Sequence, residues 1–476
     1  WNSRPAWDVD IANLNLTEGG ISFISHNLGK KMNVPKEVTR LGGIHYVGHL
    51  SGRGDRLSSK GRLETGAGNA DIQLSKNGKN IQAKIATKGI ALDRILANKT
   101  FGQVATTIEV KGNKDHLVAK GEISRFDYNK YSFRNIRLDG QYNHGIVKGL
   151  ASIDDPNIRV DIEGNYAMKG NKYAINTHID HLQPSILGVK MADKGYSLDD
   201  IDLSANNQSS DSYLDLEAPF MSLHARGQYN LSTLVSSIQN MIAEKLPTLP
   251  GIKKTKAKGD NDFTLQGNIY STEVLNKILG IPLAISSPIH INGNISEQSN
   301  ELNLYLSAPL FSYNGKPFHN GNVELTTLDN ALSLEARITQ GMPYEKAPEI
   351  KLKAAAADNV LSTLLNYNNH SSKLPLSGLL NADTRFSKNE QGQLTIQTSV
   401  KPSSLMLGDT QWDVKASTVE YHKNHLTVDN FVVKHDKQHV IINGMATPNK
   451  EDSIVADLKD VDVAYILNLV NFHSVD

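Results

Sequence analysis

A seven-position pattern that recurs nine times along the chain constrains its fold more than any other feature. In each copy, for example residues 160–166 and 289–295, apolar positions alternate with variable ones and a glycine stands on the apolar side. A period of two is typical of strands with one apolar and one polar face. Glycine weakens a strand, so its recurrence suggests places where the sheet bends or leaves clearance. The nine glycines are Gly61, Gly121, Gly140, Gly164, Gly227, Gly267, Gly293, Gly378 and Gly444.

Short polar turns separate further alternating runs over most of the chain. Residues 76–78 (Lys-Asn-Gly) and 143–145 (Asn-His-Gly) suit hairpins, which join antiparallel neighbours. The sequence therefore predicts a mainly β fold, a long antiparallel meander of about 25 to 30 strands. Flat sheets of that size are uncommon because large sheets close, stack or curl. We expect an elongated meander curled into a U-shaped apolar groove.

Helical spacing of apolar residues predicts a few short amphipathic helices between the strands. In the longest, Asn230 is a plausible N-cap and Pro247 a stop. We expect this helix to lie on the sheet and cover apolar surface; a plug or gate over an open groove is the alternative. The five predicted segments are 92–97, 231–246, 273–279, 358–365 and 462–470.

The stretch 247–262 is the best linker candidate, because it combines Pro247, Pro250 and Gly251 with lysines and aspartates. We expect residues 1–246 to form the N-terminal part of a repetitive sheet and residues 263–476 its continuation. Residues 247–262 would be a linker or a long loop. The whole is expected to be one continuous module, because repeat architectures need only their neighbours for stability.

Composition gives no sign of chemistry. The 50 basic and 50 acidic residues cancel and no basic block stands out, so charge points neither to nucleic acid nor to an anionic membrane. Cysteine is absent, which excludes thiol catalysis and disulfides. The signatures of serine hydrolases, phosphate loops and zinc peptidases are missing, so we expect no enzymatic activity and no cofactor. Residues 53–55, Arg-Gly-Asp, are interpreted as a hairpin turn.

The 16 histidines raise a metal hypothesis, which their spacing does not favour. The closest pairs are His435 with His439 and His422 with His425. Residues four apart on one strand lie about 13 Å from each other, and residues three apart face opposite sides. We therefore expect surface histidines and no metal site.

The apolar face itself is the predicted functional feature. A continuous apolar trough in a soluble protein is a place for acyl chains. The residues expected to point into it are Ile136, Leu138, Val160, Ile162, Phe263, Leu265, Ile289, Ile291, Leu302, Leu304, Leu306, Val440 and Ile442.

Several segments resemble a known family. Residues 35–44 (PKEVTRLGGI), 61–68 (GRLETGAG) and 133–142 (FRNIRLDGQY) resemble the repeat region of TamB-type translocation and assembly proteins, particularly the form found in Bacteroidetes. Residues 149–157 and 433–444 carry the same likeness. It extends through most of the chain in short, degenerate motifs.

The resemblance implies a periplasmic member of the AsmA-like, bridge-type lipid-transfer superfamily. Such a protein is an elongated β-taco that carries glycerophospholipid between inner and outer membranes, or assists outer-membrane protein assembly beside a TamA-like barrel. The family's N-terminal membrane anchor and C-terminal barrel-binding domain are missing, so we expect an internal segment. Contacts with the inner membrane and the barrel would then lie outside it, and no nucleic-acid partner is expected.

Two other classes of function remain open at this point. A scaffold could offer its strand edges to nascent outer-membrane strands by β-augmentation. A closed β-helix or sandwich could act as an adhesin or glycan binder, although only three tryptophans are available for stacking on sugars. In that closed form, or in an ordinary globular protein, every apolar face would belong to a dry core.

Overall fold

A computed structural model describes most of the chain. The described residues are 6–17, 19–20, 36–208, 211–256, 259–388, 390, 392–449 and 451–462.

Strands account for most of these residues. They are β1 (Ala6–Leu16), β2 (Ile44–Arg53), β3 (Arg56–Thr65), β4 (Gly68–Asn77), β5 (Asn80–Ala91), β6 (Phe101–Gly112), β7 (His116–Tyr128), β8 (Tyr131–Phe133), β9 (Ile136–Asn143), β10 (Ile146–Asp155), β11 (Ile158–Ala167), β12 (Lys172–Leu182), β13 (Leu198–Asn206), β14 (Tyr213–Ala218), β15 (Met221–Gln228), β16 (Asp262–Ile269), β17 (Leu283–Ile285), β18 (Ile289–Ser296), β19 (Glu301–Tyr313), β20 (Lys316–Leu328), β21 (Ala331–Gln340), β22 (Glu349–Ala357), β23 (Val360–Asn368), β24 (Leu376–Lys388), β25 (Leu394–Leu407), β26 (Thr410–Val414), β27 (Ser417–His422), β28 (His425–His435), β29 (Gln438–Ala446) and β30 (Ile454–Lys459). The helices are α1 (Lys36–Thr39), α2 (Leu92–Leu96), α3 (Leu234–Lys245), α4 (Glu273–Leu279) and a 3₁₀ turn at Pro184–Leu187.

The chain divides into two compact units. The first comprises residues 1–209, 214–219 and 277–280, and the second comprises 210–213, 220–276 and 281–476. In the first unit, β1 to β7 and β9 to β13 pair in chain order, each antiparallel to the next, and β8 pairs with the end of β7.

The second unit is built in the same way. The main ladder runs β15, β16, β18 to β25 and β27 to β30, while β17 pairs with β19 and β26 lies between β25 and β28. The prediction of a mainly β, antiparallel meander with a few short helices is confirmed.

The turn between β22 and β23 overturns the helix predicted over 358–365. Asp358 and Asn359 both have left-handed backbones, with φ of 49° and 64°. This conformation suits a two-residue hairpin whose twist matches that of its strands. Val360 therefore begins a strand paired with β22. The apolar residues that suggested a helix are split between the two faces of this strand.

Three of the other predicted helices are present in the structure. Helices α2 and α4 fall within or on their predicted ranges. Helix α3 begins at Leu234 instead of Leu231, because the Asn230 side chain accepts a hydrogen bond from the Ser232 amide and closes a preceding turn. It ends at Lys245, two residues before Pro247. Except for Asp462, the segment predicted over 462–470 lies outside the described residues.

The core of the first unit lies at one end of its strands, which we call the covered end. Phe133, Ile136, Ile158, Val160 and Ile186 form a buried cluster there. Ile186 belongs to the 3₁₀ turn after β12, and Phe133 to β8. The 3₁₀ turn packs against this cluster, whereas β8 continues the sheet at the end of β7, so a connection adds a second layer to the core of the first unit.

In the second unit α3 and the loop after it cover one buried cluster, and a second cluster is formed by Val400, Trp412, Val414 and Val433 on the strands themselves. In the cluster under α3, Leu246 is buried with Ala356 and Phe386, and Leu249 packs against the same residues. The described part of the predicted linker, 247–256 and 259–262, lies inside the second unit and is mostly loop.

Candidate functional site

Strand register aligns the apolar residues of the first unit into rows that cross the sheet. Directly opposed partners can be followed from β1 to β13 without a break. We call this set the Ile11 row: Ile11, Gly48, Gly61, Ile72, Ile85, Ile108, Gly121, Leu138, Ala151, Ile162, Thr177 and Leu203. Thr177 is its one polar member.

A second row lies two residues further along each strand, on the same face. It lies on the side away from the covered end. We call it the Val9 row: Val9, Leu50, Ser59, Leu74, Ala83, Val110, Ala119, Gly140, Gly149, Gly164, Ile175 and Ala205.

The second unit contains two comparable rows. The Leu223 row is Leu223, Gly267, Ile291, Leu306, Val323, Ala336, Leu352, Leu365 and Leu380. The Ala225 row is Ala225, Leu265, Gly293, Leu304, Leu325, Leu334, Ala354, Thr363, Ala382, Val400 and Ser417.

These rows remain largely uncovered. Every member of the Ile11 row is half-buried or exposed, and Ile85 and Leu138 each keep 39% of their surface. In the Leu223 row only Gly267 is buried. By comparison, Val160 in the core of the first unit has only 8% of its surface exposed. The rows are therefore apolar surface that lacks a second layer along most of its length.

The predicted trough residues fall into two groups. Five are buried: Ile136, Val160, Phe263, Ile289 and Leu302. The others are half-buried or, for Leu138, exposed. Leu138 and Ile162 belong to the Ile11 row, Ile291 and Leu306 to the Leu223 row, and Leu265 and Leu304 to the Ala225 row. Val440 and Ile442 lie opposite Val433 and Phe431 on β28.

Six of the nine pattern glycines belong to these rows. Gly61 and Gly121 lie in the Ile11 row, Gly140 and Gly164 in the Val9 row, Gly267 in the Leu223 row and Gly293 in the Ala225 row. Gly227, Gly378 and Gly444 lie opposite Phe263, Leu405 and Val428.

Close approach of neighbouring backbones explains most of these glycines. A Cβ atom built on Gly293 would lie 2.5 Å from the Asn303 carbonyl oxygen, and one on Gly164 would lie 2.8 Å from that of Ala174. Gly140 is the exception, because its nearest neighbour would be the Lys148 oxygen at 3.7 Å. A side chain at most of these positions would push neighbouring strands apart.

The opposite face of the first unit is charged and internally paired. Lys84 lies 2.8 Å from Glu109, and Lys120 lies 2.7 Å from Asp139. The hydrogen bond with Lys84 lowers the pKa of Glu109. Exposed pairs of this kind contribute little stability, but they fix which face meets water.

The histidines of this face pair with carboxylates. His49 Nδ1 lies 2.8 Å from Asp10, and the hydrogen bond with Asp10 raises the pKa of His49. His178 Nδ1 lies 2.8 Å from Asp202, which raises the pKa of His178. Cross-strand pairs such as these are easy to miss in a sequence, because their members come from different strands.

The structure also groups three possible metal ligands that sequence analysis missed. Ligand atoms of His178, Asp200 and Asp202 lie within 4.8 Å of one another, and all three residues are exposed. The ring nitrogen of His178 nearest to Asp202 is already engaged by that carboxylate. We interpret the group as a surface ion pair with an additional acidic neighbour.

The histidine pairs named from the sequence do not form such a group. His422 and His425 do not share a strand. They instead lie directly opposite each other, at the close of the β27–β28 hairpin. His435 on β28 lies opposite Gln438, and His439 on β29 lies opposite Lys434.

Clefts of about 640 and 480 Å³ cross β9–β13 and β18–β22. Charged and amide side chains flank both of them, including Asp139, Glu163 and His178 in the first and Glu335 and Lys353 in the second. Both clefts nevertheless follow the apolar rows. The first is lined by Leu138, Ala151, Ile162, Thr177 and Leu203 of the Ile11 row, and the second by Leu306, Val323, Ala336 and Leu352 of the Leu223 row.

Comparison with protein-family models, curated proteins and solved structures finds no match to this chain. The resemblance to TamB-type proteins accordingly stays a prediction. Among the described residues, no helix has the length and apolar character needed to cross a bilayer.

Proposed function

We propose that this chain is a non-enzymatic carrier that holds lipid acyl chains against its open apolar rows. The observation that supports this function is the half-exposed state of two rows. The Ile11 row crosses twelve strands of the first unit with no buried member, and the Leu223 row crosses nine strands of the second with only Gly267 buried. Soluble proteins rarely leave large contiguous apolar surfaces without a ligand or partner.

The chemistry of the rows favours a hydrocarbon ligand. The strands' main-chain polar groups are engaged in the antiparallel ladders, so the surface offers mainly dispersion and hydrophobic contact. Thr177 in the Ile11 row and Thr363 in the Ala225 row are among its few hydroxyl groups. A ligand rich in hydrogen-bonding groups would lose its hydration there without compensation.

The length of the rows favours an extended ligand over a compact one. Twelve strands at the usual spacing extend over roughly 50 Å. The TamB-type resemblance predicts the same class of cargo: glycerophospholipid, carried in the periplasm between inner and outer membranes through an elongated, curled groove. The conduit, its compartment and its role in outer-membrane biogenesis are parts of this proposal, which requires neither cofactor nor catalytic residue.

The test compares two adjacent residues of β18. Ile291 belongs to the Leu223 row, whereas Asn292 is exposed on the opposite face. Ile291→Asp places a charge on the apolar row and should remove most co-purifying phospholipid, measured by mass spectrometry after expression in a Gram-negative host. Asn292→Asp is nearly isosteric and should leave the lipid content unchanged. Circular dichroism should show that both variants remain folded.

Two results would contradict the carrier. A parent protein that purifies without lipid and takes up none from vesicles has no such cargo. Equal lipid content in the Ile291→Asp and Asn292→Asp variants would place any bound lipid elsewhere.

A strand-augmentation scaffold is the second candidate. Among the described residues β1 pairs only with β2, and β30 only with β29, so each has one free edge. Val9 and Val455 on these strands are well exposed. If the edges carry the function, Ile291→Asp should leave capture of an unfolded outer-membrane strand peptide unchanged. The third class, a closed adhesin with a dry core, does not account for the half-exposed rows.

A further inference from the structure

One edge of the first unit collects five chain reversals, at the end of the strands opposite the covered end. The register shows this directly: Arg53 lies opposite Arg56, Asn77 opposite Asn80, and Asn143 opposite Ile146. We call this set the basic edge and define it as residues 52–57, 76–81, 111–117, 142–147 and 166–173.

The basic edge has a strong excess of positive charge. Its two acidic residues are Asp55 and Asp115. Its eight basic residues are Arg53, Arg56, Lys76, Lys79, Lys111, Lys114, Lys169 and Lys172, which gives a net charge of 8 − 2 = +6.

The covered end gives an internal comparison. Its connections, residues 64–69, 88–101, 125–135, 154–159 and 180–200, contain nine basic and nine acidic residues, a net charge of zero. The excess therefore belongs to one end of the strands and is not a general property of the turns.

Among the described residues, no ion pair neutralises the positive charges of the basic edge, although Lys111 interacts electrostatically with Glu109 and Lys172 Nζ donates a 2.8 Å hydrogen bond to the Asn207 carbonyl oxygen. All eight basic residues are exposed, and within the described part of the chain none has a carboxylate within ion-pair distance. By contrast, Lys84, Lys120, Arg125 and Arg159 elsewhere in the same unit each contact an acidic side chain. Arg53 and Arg56 even face each other across a hairpin, an arrangement that an external anion would stabilise.

Apolar side chains protrude between these charges. Ile146 and Met168 at two hairpin tips keep 42% and 56% of their surface, and Tyr166 keeps 41%. The tips are fixed to each other by main-chain hydrogen bonds, from His144 to the Asp115 oxygen and from Met168 to the Gly145 oxygen, both 2.9 Å. They form an ordered patch at the open end of β9–β12.

A cleft of about 590 Å³ lies at the other end of the basic edge. Arg53, Arg56 and Lys76 line it together with Asp8 and Trp7, and the Trp7 ring lies over Gly52. Trp7 is 44% exposed and belongs to an edge strand. Indole rings favour the boundary between water and hydrocarbon, where one part is wet and the other apolar.

We propose that the basic edge docks on the surface of an anionic phospholipid bilayer. Unpaired lysines and arginines meet the phosphate layer, while Ile146, Met168 and Trp7 enter the region just below it. Nucleic acid also matches the charge, but its backbone offers no place to bury aliphatic side chains such as those of Ile146 and Met168. Docking stands apart from the cargo proposal, because it depends on the edge and not on the rows.

The test uses two triple variants of the full chain that change the net charge equally. Lys79, Lys114 and Lys169 lie on the basic edge, and each is changed to Glu. The control changes Lys88, Lys99 and Lys190 to Glu; these lysines are equally exposed and lie at the covered end. Sedimentation with vesicles of phosphatidylcholine, alone or mixed with phosphatidylglycerol, measures binding.

The parent and the control should bind the mixed vesicles and leave pure phosphatidylcholine largely unbound. The edge variant should bind the mixed vesicles roughly a hundredfold more weakly. Binding should fall between about 0.1 M and about 1 M salt, as the screening length shortens from about 10 to about 3 Å. The double change Ile146→Ser and Met168→Ser should weaken binding while leaving all charges in place.

Three outcomes would overturn the proposal. Equal losses of vesicle binding in the edge and control variants would mean that binding depends only on the net charge of the protein. Unchanged binding in the edge variant would place any membrane contact elsewhere. If a DNA duplex competes fully with the vesicles, and the Ile146→Ser, Met168→Ser variant binds vesicles as the parent does, the edge is a general polyanion surface.

Discussion

The strand glycines illustrate what a single position contributes in this protein. Their recurrence was visible in the sequence, but the two explanations offered there, a bend or clearance for a ligand, make different demands on neighbouring atoms. At Gly293 and Gly164 the carbonyl oxygen of the next strand occupies the space that a Cβ atom would need. Close approach of backbones therefore accounts for them, and Gly140 is left as the position with room.

This difference gives a matched pair of substitutions. Gly293→Ala should lower the free energy of unfolding by about 1 to 3 kcal/mol, because the new methyl group has to displace backbone. The free energy of unfolding of the Gly140→Ala variant should lie within about 0.5 kcal/mol of the parent value or above it, because alanine also restricts the unfolded chain. Urea denaturation followed by circular dichroism measures both. Similar losses at both positions would contradict the explanation by close approach.

At the scale of elements, α3 shows how a connection becomes part of a core. Its last residue, Lys245, is buried, and the Lys245 ammonium donates a 2.6 Å hydrogen bond to Asn330 in the β20–β21 turn. The backbone N–H of Asn359 donates a 2.9 Å hydrogen bond to the Lys245 carbonyl oxygen. Two hairpin turns thus hold the C-terminal end of the helix over the sheet.

A fully buried asparagine anchors the same helix from the other side. Asn261 Nδ2 donates to Ser237 Oγ at 3.0 Å, and Asn261 Oδ1 accepts from the Asn230 amide at 2.8 Å. Asn261→Ala should destabilise the protein by about 2 kcal/mol, because buried partners lose their hydrogen bonds. Gln266→Ala on the exposed side of β16 is the control. Equal denaturation midpoints for the two variants would exclude this anchoring role.

The elements also show where sequence reasoning succeeds and fails. Period-two alternation located the strands because burial on one face enforces it. Val360, Leu361, Leu364 and Leu365 fit a helical spacing equally well, and the Asp358–Asn359 turn decided the outcome through backbone conformations that a spacing rule ignores. A pair of Asp or Asn residues before an ambiguous apolar run is the signal that could have identified the hairpin.

At the scale of the whole molecule, the distribution of charge could not be predicted from the sequence. The lysines and arginines of the basic edge are spread over residues 53–172, so no basic block stands out along the chain. Only the register of the meander brings them to one end of the strands. The apolar rows were partly predictable, since parity assigns a face. Which rows stay uncovered depends on where connections such as the 3₁₀ turn and α3 fold back.

The stability of the molecule should depend on pH through its histidine–carboxylate pairs. His49 and His178 have raised pKa values in the folded protein, so they bind protons more tightly there than in the unfolded chain. Their contribution is complete below the unfolded value of about 6.5 and is lost as pH rises through the folded values. The melting temperature should fall modestly from about pH 6 to about pH 8, and the variant with both His49→Gln and His178→Gln should show a flatter profile. An identical pH profile in that variant would contradict the assignment.

Pairing between consecutive strands has a consequence for how such a chain can change over time. Each strand inside the main ladders pairs with two neighbours, and many of the connections are two-residue turns that return the chain in register. Insertion or loss of a whole hairpin would lengthen or shorten the apolar rows by two positions and leave the remaining strands with their partners. Duplication or deletion of a short gene segment can therefore change the length of the apolar rows without changing the rest of the sheet.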